Sequence, residues 1–344
     1  MMSGKLILCA TPIGNLGDIS ERVLCALREA DLIAAEDTRN TRKLLEHFGI
    51  RTPMTSYHEN NRYDKGRELI DRLCRGMNIA LVTDAGTPAI SDPGEELVAM
   101  AAEAGISVTS LPGPAACITA LTLSGLPTRR FSMEGFLPQD KKEKEELFEE
   151  LREETRTMIF YEAPHRLKKT LAEFAKQFGF RRRIALCREL TKIHEEVLRM
   201  TIKEACMYYG VPVSEADGTD PSCGAFSADP VSPAGADPFA DFVSPTGADP
   251  SADFISPTGA DLSADFVSAS GSGRSAEPVS LKDPLKTEGL PVQPRGEYVL
   301  VVEGKSREEI RAGKQAAWKE MGVAEHVAMY MAEGMDEKEA MKRT

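Results

Sequence analysis

The stretch IALVTDAGTPAISDPG, residues Ile79 to Gly94, decides the fold class of this 344-residue chain. Its first four residues are apolar without polar alternation, which is typical of a parallel strand covered on both faces. In the small-residue loop that follows, Gly86 allows close approach of the backbone and Pro88 removes one amide donor. The pattern then places Asp92 as the N-cap of a helix and Pro93 as its first residue. One such loop, taken alone, is usually an ordinary strand-to-helix turn.

The same order of buried strand, small-residue loop and helix recurs on both sides of this stretch. Residues 6–10 and 106–111 are predicted strands, and the loops after them begin TPIGNLGDIS and PGPAA. A shorter loop, EAPH, follows the apolar strand at 157–161. This alternation predicts an α/β protein with a mostly parallel sheet in its first half. Ligands of such sheets bind at the carboxyl ends of the strands.

A change of composition around residues 126–139 separates the first half from a second α/β region. We expect an N-terminal domain at 5–126, a C-terminal domain at 127–304 and a helical segment at 305–344. Residues 212–291 include three copies of a twelve-residue repeat, the first reading VSPAGADPFADF. The repeat is rich in Pro, Gly, Ala, Ser and Asp and has no apolar face to stack. We therefore interpret 212–291 as a disordered insertion in the second domain.

The charge of the chain is unevenly distributed. Residues 211–292 carry thirteen acidic and three basic side chains, so the rest is nearly neutral although the whole has a formal net charge of −12. The seven cysteines are scattered without a CxxC pair, which indicates a reducing compartment and no zinc site. No apolar run is long enough for a membrane span or a signal peptide, so we expect the protein in the cytoplasm.

Two common nucleotide-binding patterns are missing from the sequence. No GxGxxG follows a strand, and no GxxxxGK[ST] occurs anywhere in the chain. The GxSxG motif of serine hydrolases is missing as well. Loops lined by backbone groups, without a cationic grip for phosphate, suit S-adenosyl-L-methionine. That molecule carries a carboxylate, an amine, a ribose and an adenine but no phosphate.

Seven motifs occur in this order: ATPIGNLGDIS, AAEDTRNTRKLL, SYHENN, LVTDAGTPAISDPG, LPGPAA, EAPHR and GEYVLVVEG. Together they resemble the ribosomal small-subunit RNA 2'-O-methyltransferase I family of the tetrapyrrole-methylase superfamily. The resemblance covers residues 5–205 and 296–334. It implies a two-domain tetrapyrrole-methylase-like fold, in which each domain is a sheet flanked by helices. It also implies a small C-terminal helical piece, which in the family normally continues past the position of Thr344, so we expect a shortened piece here.

The resemblance also implies an activity and its partners. The expected enzyme uses S-adenosyl-L-methionine to methylate the ribose 2'-oxygen of a cytidine in the decoding region of 16S rRNA. It is expected to be a homodimer that acts on the small ribosomal subunit. Neither binding to a membrane nor a bound metal ion is expected. The donor would lie in the cleft between the domains, and Asn15 and Arg39 would contact RNA. The implied donor-binding residues are Pro12, Asp84, Gly86, Thr87, Pro88, Ser91, Pro112, Gly113, Pro114, Ala115, Ala163 and Pro164.

Three side chains are candidates for a base that activates the 2'-hydroxyl: Glu36, Asp37 and His58. All three lie at or near the ends of first-domain strands. Glu36 and Asp37 are equally well explained as a helix N-cap and a partner of the helix dipole. The alternative explanation for His58 is a structural one, in which its imidazole is partly buried and hydrogen-bonded. Arg39 either holds a phosphate or pairs with one of these two acids.

Two other functions stay open from the sequence. One is a methylase of a corrin-type (precorrin) macrocycle, for which we expect a GPGDP-like first loop where this chain has TPIGNLGDIS. The other is an inactive relative that binds the ribosome without methylating it. Binding of S-adenosyl-L-methionine separates the inactive relative from both enzymes.

Overall fold

The structure, a computed structural model, describes residues 3–212, 291–320, 322–332 and 334–343. Apart from its two end residues, the predicted disordered insertion at 212–291 lies outside these ranges. In the described part of the chain, no helix combines the length and the apolar character needed to cross a membrane.

The first half of the chain alternates strands and helices, as predicted. Its strands are β1 (Lys5–Cys9), β2 (Leu32–Ala35), β3 (Met54–Ser56), β4 (Ile79–Val82) and β5 (Ser107–Leu111). Its helices are α1 (Glu21–Glu29), α2 (Thr38–His47), α3 (Arg62–Cys74), α4 (Gly94–Glu103) and α5 (Ala116–Ser124). The five strands are all parallel and lie in the order β3-β2-β4-β1-β5. Their carboxyl ends therefore meet at one edge of the sheet.

Strand β4 is buried at all four positions, which confirms the prediction from its apolar run. Ile79 and Leu81 enter one apolar cluster, whereas Ala80 and Val82 enter a second one. Because successive side chains of a strand point to opposite faces, the two clusters cover the two faces of the sheet. An alternating polar pattern at β4 would have placed charge in one of these clusters.

A second sheet follows in the chain. Its strands are β6 (Phe131–Phe136), β7 (Thr157–Glu162), β8 (Arg183–Arg188), β9 (Glu196–Thr201) and β10 (Tyr298–Val302). Its helices are α6 (Lys141–Leu151), α7 (Leu167–Phe178) and α8 (Ile202–Tyr209). The order is β6-β7-β10-β8-β9, with β6 parallel to β7 and the other pairs antiparallel. Helix α5 packs on this sheet, because its Cys117, Ala120 and Leu121 share an apolar cluster with β7, β8 and β10.

Strand β6 was not anticipated from the sequence, which indicated only a change of composition there. The strand lies at the edge of the sheet and is interrupted by a bulge between Met133 and Gly135. Gly135 has φ of 68°, in the left-handed region. An edge strand with one neighbour stays half-exposed, so it lacks the continuous apolar run that identified β4.

The start of α4 differs by one residue from the prediction. The helix begins at Gly94, so Pro93 is the N-cap and not the first helical residue. Asp92 nevertheless caps the helix, because its carboxylate accepts the N–H of Gly94 at 2.8 Å. Beyond β10 the chain forms α9 (Arg307–Glu320), α10 (Val323–Ala332) and α11 (Glu337–Arg343).

Candidate functional site

Three loops of the first sheet form one wall of a cavity. Thr11, after β1, exchanges two backbone hydrogen bonds with Gly86 in the loop after β4, at N···O distances of 2.9 and 3.0 Å. The hydroxyl of Thr87 donates to the carbonyl oxygen of Pro114, after β5, at 2.9 Å. These bonds join segments that are distant in the chain, and they are allowed because β4, β1 and β5 are neighbours.

The loop after β4 is held in an unfavourable backbone conformation. Ala89 and Ser91 have φ of 68° and 62°, where a side chain costs about 1–2 kcal/mol. The half-buried carboxylate of Asp92 accepts the N–H of Ile90 at 3.2 Å and that of Gly94 at 2.8 Å. Burial raises the pKa of Asp92, while hydrogen bonds from backbone amides oppose that shift. A strained loop that is braced from within is a common feature of binding sites.

The turn after β7 belongs to the opposite wall. The Glu162 side chain is almost fully buried, and one of its oxygens accepts the N–H of Ala163 at 2.8 Å. The other oxygen accepts the hydroxyl of Thr170, and Arg166 lies within 3.5 Å as an ion partner. These contacts tie the end of β7 to the turn with Ala163 and Pro164 and to the start of α7.

The turn after β8 completes the opposite wall. Glu189 and Thr191 have φ of 50° and 63°, again in the left-handed region. The ammonium of Lys192 lies 3.0 Å from a carboxylate oxygen of Glu189 and 2.9 Å from one of Glu297. The first loop of the first sheet touches this turn, since a Cβ added at Gly14 would lie 2.5 Å from Cγ of Lys192. The two walls are therefore in contact at this point.

Between the walls lies a cavity of about 700 Å³, a typical size for a ligand site. The predicted donor-binding residues that line it are Asp84, Gly86, Thr87, Ser91, Ala115, Ala163 and Pro164. Those that do not line it are Pro12, Pro88, Pro112, Gly113 and Pro114. Pro12 lines a smaller neighbouring cavity of about 140 Å³, which Asp84 also borders.

Acidic side chains dominate the charge of the large cavity. Glu162, Glu189 and Glu297 have cationic partners, either Arg166 or Lys192. The other lining acids are Glu36, Asp84 and Asp92, and none of them has an ion pair within the described ranges. The wall formed by the first sheet therefore carries uncompensated negative charge. Such a field favours a cationic ligand over one with phosphates.

Among the predicted bases, Glu36 is the one that lines the cavity. Its Oε2 accepts the hydroxyl of Thr83 at 2.6 Å and the N–H of Asp84 at 3.3 Å. Asp84 in turn accepts the N–H of Asp37 at 3.2 Å. Burial, and then the nearby charge of Glu36, raise the pKa of Asp84. The ends of β2 and β4 are thus linked through two carboxylates that face the cavity.

Asp37 and Arg39 fit the simpler of their two interpretations. Asp37 is the N-cap of α2 and accepts the N–H of Arg39 at 2.8 Å. The guanidinium of Arg39 lies 2.7 Å from the same carboxylate, although the arginine side chain is 87% exposed. Neither residue lines the large cavity, and the same is true of Asn15, whose side chain accepts the N–H of Gly17 at 2.9 Å.

The carboxylate of Asp37 is expected to stay ionised in acid. The side-chain hydrogen bond from Arg39 lowers its pKa from 3.8 to about 2. A lowered pKa in the folded state gives a contribution to stability that is present above the unfolded value and is lost as the pH falls towards 2. A carbon-detected NMR titration of the folded protein measures this directly. In Arg39→Gln the Asp37 midpoint should return towards its ordinary value, and an unchanged midpoint would contradict the assignment.

His58 lies outside the cavity, beyond the end of the edge strand β3. Its backbone N–H donates to the side-chain oxygen of Asn61 at 2.9 Å, and its Nε2 lies 3.4 Å from the amide nitrogen of the same residue. The interpretation as a partly buried, hydrogen-bonded imidazole holds at Nε2, whereas Nδ1 is buried without a hydrogen-bond partner among the described residues.

Gly113 has a packing role that the sequence did not indicate. A Cβ at this position would lie 2.6 Å from the Cβ of the buried Ala10, at the end of β1. We expect Gly113→Ala to lower the free energy of unfolding by about 1–3 kcal/mol, as measured by urea denaturation. Adding Ala10→Gly removes the clashing atom, so the double variant should lose less than the sum of the two single losses. Strictly additive losses would show that the clash between the Cβ atoms of residues 10 and 113 does not cause the loss of stability.

Several lining residues of the second sheet were missed by the sequence analysis. They are Phe136, Tyr161, Cys187, Glu189, Leu190, Lys192 and Glu297. A signal was present at CRELTK, where charged residues directly follow an apolar strand as they do at β2 and β4. For Glu297 no local signal existed, because its place beside Lys192 depends on β10 lying next to β8.

Metal ligands do not cluster in the described ranges, where no group of three or more His, Cys, Asp or Glu could hold an ion. The six cysteines in those ranges are free thiols, and burial raises the pKa of Cys9 and that of Cys187 to about 12. Neither thiol is a nucleophile at neutral pH.

Comparison with known proteins gives consistent matches. The family model of Tetrapyrrole (Corrin/Porphyrin) Methylases matches residues 5–206, from β1 into α8. Ribosomal RNA small subunit methyltransferase I of Halalkalibacterium halodurans is 54% identical over 202 residues, which are 59% of this chain and 70% of that protein. The protein of the same name from Synechocystis is 52% identical over 206 residues, 60% of this chain and 74% of that one. A solved diphthine synthase is 16% identical with a TM-score of 0.48, covering 59% of this chain and 84% of that chain.

Proposed function

Because the chain belongs to the tetrapyrrole (corrin/porphyrin) methylase family, we propose that it is an S-adenosyl-L-methionine-dependent methyltransferase of small-subunit ribosomal RNA. In detail, we propose that it methylates the ribose 2'-oxygen of a cytidine in the decoding region of 16S rRNA. The observation that carries the proposal is the cavity between the loops of the two sheets, with its uncompensated carboxylates.

The residues of the cavity fit the proposed donor. Its volume of about 700 Å³ lies within the range of small-molecule sites. Glu36, Asp84 and Asp92 provide negative charge for a sulfonium and an ammonium group. The rings of Phe136 and Tyr161, whose centroids are 5.5 Å apart, provide apolar surface for an adenine. When bound, S-adenosyl-L-methionine supplies a methyl group on a positively charged sulfur, which is a good leaving group.

Glu36 is the residue best placed to accept the proton of a ribose hydroxyl. Its hydrogen bonds from Thr83 and Asp84 both reach Oε2. Among the described residues, Oε1 accepts no hydrogen bond and is left for a substrate. The contacts at Oε2 hold the carboxylate in one orientation, so its position does not have to be ordered when the substrate arrives. Asp37 is the weaker candidate because Arg39 lowers its pKa.

RNA is favoured over a macrocycle as the substrate. Relatives of about half identity are named for ribosomal RNA of the small subunit. The guanidinium of Arg39 is exposed at the start of α2, which the N–H of Asp37 links to Asp84, and a positive charge there suits a phosphate backbone. We propose Arg39 and Asn15 as RNA contacts, with Arg39 exchanging Asp37 for a phosphate.

The proposal includes an assembly, a location and a domain division. We propose a homodimer in the cytoplasm, with an N-terminal domain at 5–126 and a C-terminal domain at 127–304. The boundary agrees with the strands, since β5 ends at Leu111 and β6 begins at Phe131, but not with α5, which precedes residue 126 and packs on the second sheet. Sedimentation of the purified chain tests the dimer.

The deciding experiment uses isolated small ribosomal subunits and methyl-labelled S-adenosyl-L-methionine. We expect label in RNA, at a single ribose that can be mapped by its resistance to alkaline hydrolysis. Label in a base, or labelling of a tetrapyrrole with none in RNA, would contradict the proposal. Calorimetry with the donor alone provides the second measurement. A chain that does not bind the donor would be an inactive relative.

A further inference from the structure

We propose that Tyr57 is a positioning residue for the methyl donor, because it holds the carboxylate of Asp92 in the wall of the cavity. This inference rests on the proposed function. Tyr57 directly follows β3 and does not line the cavity, so it acts through another residue. Its side chain is 1% exposed and packs in the apolar cluster of Leu69 and Leu97. A hydroxyl in such surroundings requires a hydrogen-bond partner.

The partner of this hydroxyl is the carbonyl oxygen of Pro93, at 3.0 Å. Pro93 is the N-cap of α4 and directly follows Asp92. Burial raises the pKa of Tyr57 to about 12, so the phenol keeps its proton and donates at every pH at which the enzyme works. The hydrogen bond therefore joins the residue after β3 to the start of α4, 36 residues further along the chain.

The carboxylate of Asp92 organises the loop that precedes α4. It accepts the N–H of Ile90 at 3.2 Å and that of Gly94 at 2.8 Å. A Cβ added at Gly94 would lie 2.6 Å from Oδ1 of Asp92 and 3.0 Å from the backbone nitrogen of Ala89. The loop is thus packed closely on the first residue of the helix. A shift at the start of α4 therefore moves the carboxylate.

A second contact holds α4 against α3. The Nε atom of Arg62, the first residue of α3, lies 3.0 Å from Oε2 of Glu96 in the first turn of α4. Further along the two helices, a Cβ added at Gly66 would lie 3.0 Å from Sδ of Met100, so the helices are in close contact. Helix α3 thus holds the body of α4, and Tyr57 holds the residue at which the loop meets it.

The placement of this carboxylate matters for a cationic donor. Asp92 is one of the three acids of the cavity that have no ion pair within the described ranges. The attraction between two charges falls with distance, and it is screened less where water is partly excluded. A carboxylate that is already in place also loses no conformational freedom when the donor binds. Tyr57 therefore contributes to donor affinity without touching the donor.

The test is Tyr57→Phe, which removes one oxygen and keeps the buried ring. We expect KM for S-adenosyl-L-methionine to rise about fivefold to tenfold, with kcat on small subunits within about twofold of wild type. Thr157→Val is the control, because the hydroxyl of Thr157 donates to the carbonyl of Pro127 at 2.6 Å and neither residue lines the cavity. Both variants should have a lower urea midpoint, but the control should keep the wild-type KM.

Two further measurements identify the residue through which Tyr57 acts. In the Asp92→Asn background, Tyr57→Phe should raise KM for the donor by less than about twofold, because no charge is left to be placed. Amide NMR signals of the donor-free protein give a reading that does not depend on donor binding. The signals of Ile90 and Gly94 should shift in Tyr57→Phe and stay unchanged in Thr157→Val.

Four results would overturn the positioning role. Two of them are a wild-type donor KM for Tyr57→Phe and an equal increase of KM with and without Asp92→Asn. The third is a raised donor KM in Thr157→Val, which would make a general loss of stability the cause. The fourth is unshifted amide signals of Ile90 and Gly94 in Tyr57→Phe. Failure of the proposed function looks different, because wild type itself would then transfer no label, whereas the amide signals would still shift.

Discussion

Replacing Glu36 by Gln is expected to lower the rate of methyl transfer by about 10²–10⁴ at saturating substrates, the usual contribution of a general base. The glutamine keeps the size of the side chain and can still accept hydrogen bonds from Thr83 and Asp84. What it loses is the ability to take up the proton of the ribose hydroxyl. Single-turnover transfer from labelled donor to small subunits measures the effect on the chemical step.

The matched variants are Asp37→Asn and His58→Asn. Asp37 has a pKa lowered by Arg39 and His58 lies outside the cavity, so both variants should transfer within about tenfold of wild type. Donor binding by calorimetry must be recorded for all three, because removal of a charge from an acidic cavity also weakens a cationic ligand. If His58→Asn loses the activity and Glu36→Gln keeps it, the assignment of the base is wrong.

Replacing Asp84 by Ala is expected to weaken donor binding by about tenfold to a hundredfold, which corresponds to about 1.4–2.8 kcal/mol. Asp84 lines both cavities and links the loop after β4 to the start of α2 through the N–H of Asp37. Its removal takes one uncompensated charge from the wall and loosens that link. Titration calorimetry with S-adenosyl-L-methionine gives the affinity.

Two further measurements separate charge from structure. Asp84→Asn keeps the shape, so a loss equal to that of Asp84→Ala would assign the effect to charge. Asp140→Ala is the control, because the Asp140 carboxylate likewise accepts backbone N–H groups, two of them at 2.8 and 3.1 Å, but caps α6 away from the cavity. This control should cost about 1 kcal/mol of stability and leave donor affinity unchanged. Unaltered affinity in both Asp84 variants would remove Asp84 from the site.

The electrostatic origin of donor binding also predicts a dependence on pH. Burial and the charge of Glu36 raise the pKa of Asp84, so its charged form is less favourable in the folded protein than in the unfolded chain. As the pH falls towards this raised pKa, Asp84 takes up a proton and the cationic donor loses a partner. As the pH is lowered, donor affinity in wild type should therefore begin to fall at a higher pH than donor affinity in Asp84→Asn.

The sequence by itself determined the elements and the family. The uninterrupted apolar run of β4 predicted a strand covered on both faces, because burial on both sides leaves no position for a polar residue. The small-residue loops and motifs predicted the methylase family, which the match over residues 5–206 confirms. The sequence did not predict strand β6. This strand lies at the edge of its sheet and is half-exposed, so it has no continuous apolar run.

Only the tertiary structure decided which of the predicted residues share a site. Glu36 reaches Thr83, 47 residues away, because β2 and β4 are adjacent, and Lys192 reaches Glu297 across 105 residues because β8 lies beside β10. Strand order depends on packing over the whole chain, which no local pattern encodes. For that reason Asp37 and His58, which the sequence offered as candidate bases beside Glu36, fall outside the cavity, whereas the loop in IALVTDAGTPAISDPG becomes part of one of its walls.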